Sequence, residues 1–111
     1  MVALVSDMDY GLLLEDFFEG KHQIILVNDI FSLGLVLGSN VKVTHLLWDY
    51  YDNIREALLV LSKIKQKPRL ATMITVALVP LSEQLSPLLR PYFHVHYPKN
   101  AALKKLEELL K

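Results

Sequence analysis

The sequence predicts an α/β fold in which a parallel β-sheet is covered by helices on both faces. Short, almost wholly apolar segments of strand length alternate along the chain with longer segments whose apolar residues recur at helical spacing. The 111 residues hold five such alternations, joined by short connections. Because parallel neighbouring strands need a crossover between them, the alternation predicts a (βα)5 arrangement.

The first strand is the apolar run at residues 2–5, which ends abruptly at Ser6 and Asp7. An uninterrupted apolar run of this length is typical of a strand buried on both faces. Leucine and phenylalanine then recur at helical spacing between residues 13 and 18, with acids on the other faces. Gly20 follows in the position of a C-terminal cap, so the first helix ends there.

The second unit begins with the apolar run at residues 23–27. It closes with Asn28 and Asp29, either of which is a good N-cap for the helix that follows. Residues 30–40 are apolar without a clean period and include two glycines. Since glycine weakens a helix, we expect a short and irregular one.

The third unit starts with the β-rich run at residues 41–48, which leads directly into Asp49. An apolar stripe with a 3.6-residue period runs from Ile54 to Ile64 and predicts the third helix. The basic stretch at residues 63–69 ends this helix, and its charges suit a helix C-terminus or an acidic partner.

The fourth unit contains the long apolar run at residues 70–79, which predicts a strand bounded by Pro80. Residues 81–89 are predicted to form a helix, but Pro87 and Pro91 restrict it to a turn or two. This helix is therefore expected to be irregular.

Residues 92–97 predict the fifth strand, and Asn100 is expected to cap a final helix that continues to the end of the chain. The whole of residues 1–111 is predicted to be a single domain. Its architecture is a flavodoxin-like three-layer sandwich with a five-stranded parallel sheet.

Composition narrows the classes of function. Twelve basic residues balance twelve acidic ones, so the charge excess that nucleic-acid binding requires is missing. The chain has no cysteine, which removes disulfides and thiol chemistry and suits a cytoplasmic location. The amino-terminal segment carries acids within its apolar run, which argues against a signal peptide, and no apolar run reaches the ~20 residues of a membrane span.

Functional residues of such folds lie where the strands end, at the carboxyl edge of the sheet. Taken in chain order, the polar residues in or after the strands are Ser6, Asp7, Asp9, Asp49, Thr72 or Thr75, Tyr97 and Lys99. This order, together with the segments VALVSD, LLWD and YPKN, resembles the receiver domain of bacterial response regulators over essentially the whole chain.

The resemblance implies a sheet order of two-one-three-four-five and a role for each of these side chains. Asp49 would accept a phosphoryl group, and Asp7, with Asp9, would bind Mg²⁺, which prefers carboxylate ligands. Thr75 and Lys99 would contact the phosphate oxygens by hydrogen bonding and charge.

The chain also departs from the receiver pattern. Ser6 replaces one of two adjacent acids. The family's lysine directly precedes a proline, but here Tyr97 holds that place and Lys99 follows Pro98, so the ammonium group is expected to point elsewhere. His94 stands at the position of the switch aromatic residue.

We therefore predict a receiver-like regulatory domain that acts through protein–protein contact, is not an enzyme, needs no cofactor and is not phosphorylated in the receiver manner. One alternative is a working Mg²⁺-dependent phospho-acceptor at Asp49. An alternative of another class is a small phosphatase similar to the haloacid dehalogenases, with Asp7 and Asp9 as nucleophile and acid.

The expected partner is another protein or a second copy of the chain, with neither a membrane nor nucleic acid involved. His94, Tyr97 and Trp48 are the candidate switch or docking residues, and Tyr50 and Tyr51 would extend an aromatic surface around Asp49. The last helix and the region of residues 81–89 are the expected dimer faces. His94 and His96 share one strand face and form a candidate metal pair.

Overall fold

The computed structural model describes residues 1–80 and 84–110. Its five strands form one sheet in the order β2-β1-β3-β4-β5, and every neighbouring pair is parallel. The strands are β1 (Val2–Val5), β2 (Ile25–Val27), β3 (His45–Asp49), β4 (Ile74–Val79) and β5 (Val95–Pro98). The predicted α/β fold, its parallel sheet and its strand order are confirmed.

Four α-helices cover the two faces of this sheet in the described part of the chain. They are α1 (Met8–Phe18), α2 (Ile30–Leu37), α3 (Ile54–Gln66) and α4 (Ala102–Leu109). Helices α1 and α4 pack on one face, and α2 and α3 pack on the other. In β1, Ala3 and Val5 point to the first core while Val2 and Leu4 point to the second, so the strand is buried on both sides as its apolar run predicts.

The predicted helix at residues 81–89 is the main departure from the (βα)5 pattern. Residues 81–83 lie outside the described part, and residues 84–89 form no α-helix but a turn that leads into a 3₁₀ turn at Arg90–Tyr92. Pro87 and Pro91 have no backbone N–H to donate, so a regular helix is not sustained. From residue 84 to the start of β5, the connection from β4 therefore contains no α-helix.

Several element boundaries also differ from prediction, including the starts of β2 at Ile25 rather than residue 23 and of β5 at Val95 rather than residue 92. Strand β3 begins at His45 rather than residue 41, and β4 begins at Ile74 because Pro68–Leu70 form a 3₁₀ turn before it. The predicted capping of the last helix by Asn100 is wrong. Asn100 lies inside a 3₁₀ turn, and α4 begins after Ala101 with no side-chain cap.

The predicted signals at the end of α1 and at the start of α2 are confirmed, and a further cap lies at the start of α3. The Asp29 carboxylate accepts a hydrogen bond of 2.6 Å from the backbone N–H of Ser32 and caps α2. Gly20 follows α1 with a φ of +77°, the left-handed conformation that glycine adopts without a steric penalty. Asn53 caps α3 by accepting from the N–H of Glu56, an arrangement for which the Asn-x-x-Glu spacing is the signal.

Gly11 sets how closely α1 approaches the sheet. A Cβ atom at this position would lie 3.0 Å from Cγ2 of Val5, which is a buried residue of β1. The absence of a side chain thus allows the first turn of α1 to lie directly over the end of β1. This approach places Tyr10, the preceding residue, beside the carboxyl edge of the sheet.

Glycine-to-alanine substitutions at two positions test the close approach of α1 to the sheet. Gly34→Ala in α2 is expected to raise the free energy of unfolding by about 0.5–1 kcal/mol, because alanine favours a helix and its Cβ meets nothing within 4 Å. Gly11→Ala brings the same helical preference but crowds Val5, so it is expected to give no gain or a loss. Urea denaturation followed by circular dichroism measures both, and an equal stabilisation by Gly11→Ala would contradict the proposed contact.

Candidate functional site

Asp49 and Lys99 form an ion pair at the carboxyl edge of the sheet. Asp49 is the last residue of β3 and is only 2% exposed, and its Oδ2 lies 2.9 Å from Nζ of Lys99. Lys99 follows β5, and β4 lies between these two strands, so the lysine side chain crosses the end of β4. The expectation that the ammonium group points elsewhere is wrong. The 3₁₀ turn at Lys99–Ala101 directs it over the sheet edge after Pro98.

Tyr10 completes the surroundings of Lys99. Its hydroxyl donates a hydrogen bond of 3.1 Å to the backbone carbonyl of Lys99, and the centroid of its ring lies 4.4 Å from Lys99 Nζ. The ammonium group is therefore held between a carboxylate and an aromatic face. Burial, together with the charge of Asp49, raises the pKa of Tyr10 to about 12. Tyr10 was not among the predicted site residues, since nothing in its local sequence indicates this contact.

The side chains of Ser6 and Asp7, which follow β1, form hydrogen bonds with backbone groups and do not bind the Asp49 carboxylate. The Asp7 carboxylate accepts hydrogen bonds from the backbone N–H groups of Asp9 and Tyr10, at 3.0 and 3.4 Å, and caps α1. The Ser6 hydroxyl donates to the backbone carbonyl of Asp49 at 2.9 Å, which ties the end of β1 to the end of β3. Asp9 lies in the first turn of α1 and is exposed.

Within residues 1–80 and 84–110, no three His, Cys, Asp or Glu side chains lie close enough together to hold a metal ion. Asp7 is nevertheless near enough to Asp49 to act on its charge. Burial raises the pKa of the Asp49 carboxyl, the hydrogen bond and charge of Lys99 oppose this rise, and the charges of Asp7 and Asp52 add to it. Asp49 is thus a buried acid, and the stability of its ionised form depends on Lys99.

Thr75 does not reach the site. In the sheet it is paired with Leu46, and Asp49 lies three residues further along β3, which corresponds to about 10 Å. The Thr75 hydroxyl donates a hydrogen bond of 2.7 Å to the carbonyl of Tyr92. The prediction of Thr75 as a phosphate contact is therefore wrong. The described residues at the carboxyl end of β4 are Val79 and Pro80, and neither carries a hydroxyl.

His94 lies at the opposite edge of the sheet from Asp49. It precedes β5, and its Nδ1 accepts a hydrogen bond of 3.0 Å from the backbone N–H of Thr75. The structure therefore does not bring this candidate switch residue to the Asp49 site. His96 follows on the same strand and is exposed, but the two histidines gain no third ligand in the part of the chain that the structure describes.

The aromatic residues around Asp49 serve mainly to hold the loop after β3. Trp48 is fully buried and its Nε1 donates to the carbonyl of Tyr50 at 2.7 Å, so its prediction as a docking residue is wrong. The Tyr50 hydroxyl donates to Glu56, and that of Tyr51 donates to the carbonyl of Trp48. Tyr97 is half-buried against the core beneath α1 and α4.

Comparison with known proteins adds no family to this description. No protein-family model matches the chain, and no curated protein matches it. Among the described residues, no helix is both long enough and apolar enough to cross a membrane.

Removal of Lys99 should expose how much Asp49 depends on it. Lys99→Met leaves a buried carboxylate unpaired, so we expect a loss of about 3 kcal/mol in the free energy of unfolding at pH 7. The pKa of Asp49 then rises further, and the folded variant binds a proton more tightly than its unfolded chain does. The stability gap to the wild type should therefore narrow as the pH falls. Urea denaturation at several pH values measures the gap.

The exposed pair between Lys21 and Glu107, at 3.2 Å, supplies the control. Lys21→Met should cost about 0.5 kcal/mol or less, with little change across the same pH range. The double variant Asp49→Asn with Lys99→Met removes both charges and should recover most of the loss. Equal losses for the Lys99 and Lys21 variants would show that the ion pair at the sheet edge has no special weight.

Proposed function

We propose that this chain is a receiver-like regulatory domain of the cytoplasm that acts by binding protein, with the Asp49–Lys99 ion pair in place of a phosphoryl-accepting centre. The observation that carries the proposal is that Lys99 pairs with the buried Asp49 carboxylate at 2.9 Å, while Asp7 is used as a helix cap and Thr75 in a hydrogen bond to Tyr92. The ion pair instead links the end of β3 to the turn after β5.

Two kinds of group that phosphoryl transfer needs are used elsewhere among the described residues: the ligands of a divalent cation and a hydroxyl for the phosphoryl oxygens. A carboxylate attacks phosphorus readily only when a divalent cation neutralises the phosphoryl oxygens. Asp7 is engaged as a helix cap and Ser6 offers no carboxylate, while Thr75 lies about 10 Å away along the sheet. Loss of one such contact lowers a rate by orders of magnitude, because each acts on the charge that develops in the transition state.

A working Mg²⁺-dependent phospho-acceptor at Asp49 is the second candidate. It is favoured by the position of the Lys99 ammonium beside the Asp49 carboxylate, which is the arrangement that the receiver resemblance implies for the phosphate-binding lysine. The phosphatase hypothesis has no comparable support, because Asp7 accepts two backbone hydrogen bonds and caps the helix that carries Asp9.

The surface offered to a partner follows from the exposed apolar side chains. In α4 the apolar residues are buried or half-buried, so this helix does not present the dimer face that its sequence suggested. In α2, Phe31 and Leu35 lie one turn apart and are 75% and 61% exposed. We assign this outer face of α2 to contact with a second copy, since a net charge of zero opposes association only weakly.

Treatment with Mg²⁺ and acetyl phosphate tests the choice between the two functions. We expect no gain in intact mass and no change in Trp48 emission with beryllium fluoride. The indole of Trp48 donates to Tyr50 in the loop after Asp49, so its emission reports binding there. Asp49→Asn is the control. A gain of one phosphoryl group that this substitution abolishes would establish the second candidate and reject the first.

Light scattering over a range of concentrations tests the proposed contact. We expect the mean mass to rise above that of the monomer, and Phe31→Glu with Leu35→Glu to restore the monomer by placing charges in the interface. Leu12→Glu with Leu13→Glu makes the same change at two exposed leucines of α1 and should leave association intact. A wild-type protein that is monomeric throughout would refute self-association through α2.

A further inference from the structure

A cavity of about 230 Å³ lies between α2 and α3, on the face of the sheet opposite α1 and α4. It is distinct from the Asp49–Lys99 site, since none of the residues that hold that pair lines it. Its apolar lining consists of Ile30, Leu33, Leu37, Val60, Ile64 and Leu70. These side chains belong to the inner sides of both helices and to the 3₁₀ turn that follows α3.

Gly34 leaves the wall of this cavity open. It lines the cavity from the middle of α2, and a Cβ atom built on it would meet nothing within 4 Å. Gly34 is exposed, so the Cβ of an alanine here would fit without displacing a neighbour. The space is therefore available to a ligand or to an introduced side chain.

The rim of the cavity is positively charged. Lys63, Lys67 and Arg69 line it, and no acidic residue does. Arg69 is engaged, because its guanidinium donates to the carbonyls of Leu37 and Ser39 at the end of α2. Lys63 and Lys67 make neither an ion pair nor a side-chain hydrogen bond with any residue in the described ranges 1–80 and 84–110.

Lys65, which lies between these two lysines in the sequence, does have partners. Lys65 donates to the carbonyl of Pro91 and lies 5.4 Å from the centroid of the Tyr92 ring. Within the basic stretch at residues 63–69, the two lysines without a partner among the described residues are thus the ones that border the cavity. A helix C-terminus accounts for basic residues near it, but not for an apolar cavity beneath them.

We propose that this cavity binds a small amphiphilic anion, a straight-chain aliphatic carboxylate of about eight carbons. Its tail would occupy the apolar space, and its carboxylate would lie between Lys63 and Lys67. The size is suitable, because an apolar cavity of roughly 150 Å³ already accommodates benzene. A cationic amphiphile is disfavoured by the rim, and acetate lacks the tail that fills the cavity.

Titration of the ¹⁵N-labelled protein with octanoate, below its micellar concentration, tests this inference. We expect saturable shifts of the amide signals of Gly34, Gly38 and Leu70, and no such shifts with acetate or octylammonium. Absence of saturable shifts, or equal shifts with octylammonium, would overturn it. Broadening at α2 and α3 that grows with protein concentration and blocks octanoate would identify a second copy as the occupant, and would also overturn it.

Two variants locate the ligand. Lys63→Glu with Lys67→Glu should weaken octanoate binding at least tenfold, whereas Lys104→Glu with Lys105→Glu, the same change of charge on α4, should leave it unchanged. Gly34→Leu should abolish binding by filling the cavity, with circular dichroism as the check on folding. If this variant does not fold, the two charge variants decide alone. Undiminished binding to the Lys63 and Lys67 variant would reject the site.

Discussion

Burial of the Asp49 carboxylate is the constraint on which the arrangement of the carboxyl edge depends. A charge that is 2% exposed needs a partner, and Lys99 provides it across the end of β4. Tyr10 holds that lysine through its ring and its hydroxyl, and its own position depends on the close approach allowed by Gly11. One ion pair thus connects β3, the turn after β5 and the start of α1.

The same contacts decide what the edge can do chemically. A buried carboxylate and a lysine are in contact at this edge, and both proposed functions include this pair. The side chains that would bind a metal and a phosphate oxygen are directed to structural tasks, with Asp7 capping α1 and Thr75 bonded to Tyr92. Binding to another protein requires a stable surface at this edge, whereas group transfer also requires several charged side chains to converge there.

The side chains on the two faces of the sheet are packed differently. Under α1 and α4, side chains such as Phe18 and Leu106 are fully buried. Between α2 and α3 the glycine at position 34 and the basic 3₁₀ turn leave an open apolar space, and on its rim are lysines that make no ion pair with the described residues. Phosphoryl chemistry would use the carboxyl edge of the sheet, whereas self-association would use the outer face of α2 and ligand binding the cavity between α2 and α3.

The sequence by itself determined the α/β class, the parallel sheet, the position of Asp49 at the end of its strand, the cap at Gly20 and a cap for α2 at Asn28 or Asp29. These features follow from apolar runs and from bonds within a few residues, which local composition controls. The receiver resemblance supplied the strand order and named Lys99 as a phosphate contact, although its position after Pro98 predicted that the ammonium group would point elsewhere.

Tertiary structure alone decided that Lys99 reaches Asp49, that Tyr10 supports it, that Trp48 is buried and that Thr75 lies at the far end of its strand. It also decided that α2 and α3 leave a cavity between them. Each of these outcomes depends on strand register or on packing between residues distant in the chain. A shift of one residue in register exchanges the faces of a strand, and no local pattern specifies how far along a neighbouring strand a side chain will lie.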